Sequence, residues 1–122
     1  MSIINSLQKA ISAHASWKIR LRTAISGEKL DVTSDAVKAD DQCEFGKWLY
    51  GSELSHAEKQ DDHYRTVKQL HAQFHQEASK VVGWISGGQK ELAEKAMSPG
   101  GGFSKASTAL TEAMVKWRES SH

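Results

Sequence analysis

Residues 67–85 read VKQLHAQFHQEASKVVGWI. Val67, His71, Phe74, Ala78, Val81 and Ile85 recur at alternating steps of four and three, which on a helix gathers them into one seam facing partner helices. The pattern predicts a long helix from about Leu54 or Asp61 to Ile85, broken by Gly87 and Gly88. Two imidazoles interrupt its apolar logic. His71 lies on the seam, and His75 follows it at i+4, so both side chains project from one face with Cβ atoms about 5–6 Å apart.

Toward the N-terminus, Ile4, Leu7, Ile11, His14, Leu21 and Ile25 make a second stripe with helical spacing, so residues 3 to 26 are expected to form a helix capped by Gly27. Here too a histidine, His14, stands where burial is expected, with Trp17 beside the stripe. Between the two long helices, Glu28 to Gln42 is polar and reads as a loop, with a helical turn near Ser34 to Ala39. Cys43, Phe45, Trp48 and Leu49 then fit two turns of a short aromatic helix closed by Gly51.

Toward the C-terminus, Gln89 to Met97 and Phe103 to Arg118 are helical stretches separated by Ser98-Pro99-Gly100-Gly101-Gly102, a kink or a loop. Ala106, Leu110, Ala113, Met114 and Trp117 share one side of the last stretch. The fold class is therefore all-α: an antiparallel four-helix-bundle-like domain with an additional short helix that carries Cys43. At 122 residues the chain is expected to be a single domain spanning 1–122.

Composition narrows the function. Sixteen basic against 15 acidic side chains give a net charge of +1, so no basic surface excess advertises a nucleic-acid partner. No run of 18 apolar residues and no short apolar leader with a cleavage site is present, so neither membrane insertion nor export is expected, and the protein reads as cytoplasmic. The single cysteine forbids an intrachain disulfide, leaving Cys43 as a buried thiol, a reactive thiol or a metal ligand. At the start of a helix, backbone N–H groups favour its thiolate.

His14, Cys43, His71 and His75 together form a complete four-coordinate N/S donor set, which suits tetrahedral zinc. His56 and His63, among acidic neighbours, and His122 at the end of the chain have weaker claims. The His71/His75 pair is not the zinc-peptidase motif. Ala72 stands where that motif needs its general-base Glu, and Gln73 is neither basic nor correctly placed. Four protein donors leave no position for water, so an enzyme is not expected. An iron site in a helical bundle would need Glu-x-x-His pairs, and the second long helix has none.

His14-Ala15-Ser16-Trp17-Lys18, the run Cys43-Glu44-Phe45-Gly46-Lys47-Trp48-Leu49-Tyr50-Gly51, and His71-Ala72-Gln73-Phe74-His75 resemble the chemoreceptor zinc-binding (CZB) domain family in order, spacing and aromatic neighbours. The resemblance implies that His14, Cys43, His71 and His75 ligate a zinc ion inside a helical bundle, with Trp17, Phe45, Trp48 and Phe74 packed around them. It implies a regulatory module of the kind found in bacterial chemoreceptors and diguanylate cyclases, where zinc occupancy or oxidation of the cysteine alters an attached output. Cys43 is the redox-sensitive group on that reading. The expected partners are zinc, an unidentified signalling protein and a second copy of the chain, since some members dimerise. Trp84, Met114, Val115 and Trp117 exceed what one narrow seam buries, which also suggests a homodimer unless they complete the monomer core. The competing reading is a structural zinc site that staples a helical interaction domain without sensing.

Overall fold

The computed structural model describes residues 3–27, 37 and 43–120, and all secondary structure among them is helical. Five α-helices have their bounds among the described residues: α1 (Ile3–Ile25), α2 (Glu44–Tyr50), α3 (Asp62–Ser86), α4 (Lys90–Met97) and α5 (Gly102–Ser120), with a 3-10 turn at Glu58–Gln60. Helices α1, α3, α4 and α5 pack together, and the α3–α5 interface is the most extensive. The short α2 lies against this group. The expected all-helical bundle with an added short helix is the observed architecture.

The seam of α3 forms as its spacing predicts except at its end, where Ile85 is only partly buried. Val67, His71, Phe74, Ala78 and Val81 are all buried, joined by Tyr64, His75 and Val82. Asp61 caps the helix by accepting from His63 N–H, which places the start at the later of the two expected positions. The stripe of α1 is shifted from the expected one. Leu7, Ala10, His14, Leu21 and Ala24 are buried, whereas Ile4, Ile11 and Ile25 are only partly so. The small alanines let the neighbouring helices approach closely, and the isoleucines flank the contact line.

The Ser98–Gly101 segment is a tight turn between two separate helices. Gly100 adopts φ +84°, a left-handed conformation that side chains disfavour. Beyond the turn, Phe103, Leu110, Ala113, Met114 and Trp117 are buried. Met114 and Trp117 therefore complete the monomer core, and Trp84 packs partly buried against it. Of the four side chains in excess of one seam, Met114 and Trp117 are thus accounted for by the core, whereas Trp84 and Val115 keep part of their surface exposed. The expected loop and helical turn between residues 28 and 42 lie outside the described residues except at Val37, which is helical and 4% exposed.

The far end of α2 is tied down by two hydrogen bonds. Tyr64 Oη–H donates to the Leu49 carbonyl at 2.8 Å, and Lys59 Nζ donates to the Gly51 carbonyl at 2.7 Å. Gly51 is required there because a Cβ would come within 2.7 Å of the Lys47 carbonyl oxygen. No helix among the described residues is long and apolar enough to cross a membrane.

Candidate metal centre

Three helices deliver four donors to one point. His14 comes from α1, His71 and His75 from successive turns of α3, and Cys43 from the N-cap of α2. All three imidazoles are buried, at 4%, 0% and 3% exposure for His14, His71 and His75, while Cys43 is half-buried. The potential donor atoms of the four residues lie within 4.8 Å of one another. His71 Nε2 is 3.0 Å from His14 Nε2 and 3.1 Å from His75 Nε2. Cys43 Sγ lies 3.4 Å from His71 Nε2 and 3.6 Å from His75 Nε2.

The outer nitrogens fix how two of the rings face the cluster. His14 Nδ1–H donates to the Ala10 carbonyl at 2.7 Å, and His75 Nδ1–H donates to the Val37 carbonyl at 2.8 Å. A carbonyl oxygen only accepts, so the proton of each neutral ring sits on Nδ1 and the Nε2 lone pair points inward. Cys43 Sγ itself accepts from Gly46 N–H at 3.3 Å, the N-cap bond of α2, and this orients the sulfur. Acceptor atoms are thus crowded against one another in a site largely closed to water. A proton on His71 Nε2 can satisfy one neighbour, not all three.

A tetrahedral cation resolves that crowding. With Zn–N near 2.0–2.1 Å and Zn–S near 2.3 Å, ideal tetrahedral edges are about 3.3 Å between nitrogens and about 3.6 Å from nitrogen to sulfur. Four of the six donor–donor separations, at 3.0, 3.1, 3.4 and 3.6 Å, are close to those edges, and the other two lie within 4.8 Å. Protonation states agree. Burial, opposed by the Ala10 carbonyl and aided by His75, pushes the His14 pKa down to about 4. His71 is driven down to about 2 by burial and by the charges that His14 and His75 would carry. Both therefore keep lone pairs available at neutral pH. The donor set and its geometry are consistent with zinc.

Aromatic rings enclose the imidazoles. Phe74 meets His14 edge-on at 5.0 Å and His75 at 5.6 Å, and Phe45 meets His14 at 5.8 Å and His71 at 5.1 Å. Trp48 stands one ring further out, stacked on Phe45 at 5.5 Å. Trp17 is placed differently from the others. It lines a hollow beside His14 and carries the Arg20 guanidinium over its ring at 4.1 Å. His56 and His63 are not among the converging residues, and His122 lies outside the described ones.

The carbonyls of Ala10 and Val37 are functional groups that the sequence reading did not identify. Ala10 is foreseeable in retrospect, because a histidine buried on a helix reaches its own i−4 carbonyl. For Val37 no distinguishing signal exists in the sequence, because Leu30, Val32, Ala36 and Ala39 are also apolar in the same stretch.

No curated protein and no solved structure matches the chain. The family model of the chemoreceptor zinc-binding domain matches residues 14–82, which is more than half of the 122 residues and runs from His14 past His75. On that match, and with these four side chains converging as they do, the chain belongs to the chemoreceptor zinc-binding domain family.

Proposed function

We propose that His14, Cys43, His71 and His75 hold one zinc ion and that the domain is a zinc- or redox-responsive regulatory module rather than an enzyme. The observation that carries this reading is the closed convergence of four donors, with the His14 and His75 lone pairs turned inward by their carbonyl partners. Bound zinc supplies a positive centre that neutralises the thiolate and replaces repulsion between acceptors with attraction. The donor set fills a four-coordinate shell, which leaves no place for a reactive water and argues against hydrolytic chemistry.

Cys43 gives the module its switch. It is the donor carried by the short helix, it is half-buried, and it is among the residues that line a hollow beside α1. Loss of the metal or oxidation of the thiolate releases the start of α2 while the α1–α3–α5 packing persists. With one cysteine in the chain, the first oxidation product is a sulfenic acid or an adduct with a thiol from elsewhere. The output passes to a signalling partner in the cytoplasm, such as a chemotaxis or cyclase component, and the working unit is a homodimer. Ile19 at 68% exposure and Leu92 at 44% are apolar side chains available to such contacts.

The test is a zinc titration of the chain and of Cys43→Ala, read by metal content and helicity. The expected result is one zinc per wild-type chain and a large loss of affinity in the variant. Wild type that takes up no zinc, or a variant that binds it equally well, refutes the assignment. Affinity also separates sensing from stapling. A sensor releases zinc to a chelator buffered near the cellular free-zinc level, whereas a staple stays full.

A further inference from the structure

A hollow of about 560 Å³ opens between α1 and the segment that carries α2, immediately beside the metal centre. Small residues create it: Ala10 and Ala13 stand one turn apart on α1, where larger side chains would fill the space. Trp17, Phe45 and Trp48 supply aromatic walls, and His14 and Cys43 are shared with the zinc cluster. Lys9 and Lys47, both exposed, stand at the edge with Glu53. Neither lysine is in an ion pair among the described residues.

We propose that this hollow binds a small organic anion, an aromatic body of one or two rings bearing a carboxylate. The volume is that of a small-molecule site, which is normally apolar with a few polar groups that fix orientation. Three aromatic side chains favour a flat ring by stacking and edge contacts. Two ammonium groups without an ion pair among the described residues, against one carboxylate, favour a negative substituent. In the zinc-loaded protein the neighbouring three-histidine, one-thiolate centre adds a formal charge of +1, and this last contribution rests on the zinc reading above. An occupant of the hollow covers the approach to Cys43, so the site provides a second chemical input beside the metal.

The zinc-loaded chain is titrated with 2-naphthoate and with its neutral isostere 2-naphthamide, using calorimetry and ligand-observed NMR, and zinc content is measured on the same sample. A sample without zinc counts against the metal assignment. A zinc-loaded sample that binds no naphthoate counts against this one. The expected result is saturable binding of naphthoate about tenfold tighter than the amide, a difference of about 1.4 kcal/mol. Lys9→Gln/Lys47→Gln is expected to erase that difference, and Ala13→Phe, at an exposed position, to abolish both binding events with helicity retained. The proposal is overturned by absence of saturation up to millimolar naphthoate, by equal affinity for the two probes, or by binding that survives Ala13→Phe. It is also overturned if Ala13→Phe converts a dimer into a monomer in sedimentation, which would assign the hollow to a second copy of the chain.

Discussion

Trp48 of α2 rests against Trp117 of α5, with ring centroids 5.7 Å apart and planes tilted by 40°. Phe45 stacks on Trp48, and the same Phe45 ring meets His14 and His71 edge-on. A chain of touching rings thus leads from the donor cluster to the last turns of α5. Packed side chains carry coupling when they have two arrangements to choose between. Removal of zinc is therefore expected to change the surroundings of Trp48. A chelator should shift the tryptophan emission of the wild type, and most of that shift should vanish in Trp48→Phe. Superimposable spectra of the loaded and chelated protein would exclude this route.

The two ends of α2 are held by different means, and they should respond differently. Its start depends on Cys43, whose sulfur accepts the Gly46 N–H. Its end is fixed by the Tyr64 hydroxyl on the Leu49 carbonyl and by Lys59 on Gly51. Local opening follows whichever contacts are weakest. On chelation, hydrogen exchange should accelerate at residues 44–47 far more than at 49–51. Uniform acceleration across α2 would mean that the helix leaves as a unit, and no change at all would remove the proposed switch.

Phe74 joins the core to the cluster: it is 1% exposed and touches His14, His75 and the Phe103 ring. Phe74→Ala removes a ring that nothing nearby can replace, at a cost of about 3–5 kcal/mol in the chelated protein. Because the ring also sets the imidazole positions, zinc affinity should fall by roughly 10–100-fold, the range for groups that support metal ligands. Urea unfolding and competitive zinc titration read the two effects separately. A variant with wild-type zinc affinity would show that the ring serves packing alone.

Much of the site was legible because its chemistry is local. His71 and His75 are forced together by one turn of helix, His14 stood out as a polar residue in an apolar stripe, and Cys43 marked the start of an aromatic helix. What escaped reading is what depends on the tertiary arrangement. The Val37 carbonyl that orients His75 is a backbone group 38 residues away along the chain. The burial of Ala10 and Ala24 in place of neighbouring isoleucines depends on how closely the helices approach, which hydropathy does not encode. Trp117 and Met114 were readable as apolar, but whether they faced the core or a partner depended on where α5 lies.

Acid should destabilise the metal-free protein before its carboxylates titrate fully. Burial holds His14 near a pKa of about 4 and His71 near about 2, against 6.5 for an ordinary histidine. Below about 6.5 the unfolded chain takes up protons that the folded chain declines, so stability decreases as pH falls. Above that value both states are neutral at these rings and the contribution to pH dependence disappears. At pH 5 each ring is expected to cost about 2 kcal/mol of folding stability relative to pH 7.5. Urea midpoints at the two pH values in excess EDTA measure the sum, and His14→Gln should remove about half of the difference. A midpoint that holds steady between pH 7.5 and 5 would show that these imidazoles accept protons without unfolding, contrary to their burial. The zinc-loaded protein should fall more steeply over the same range, because protons then compete with the metal for the same lone pairs.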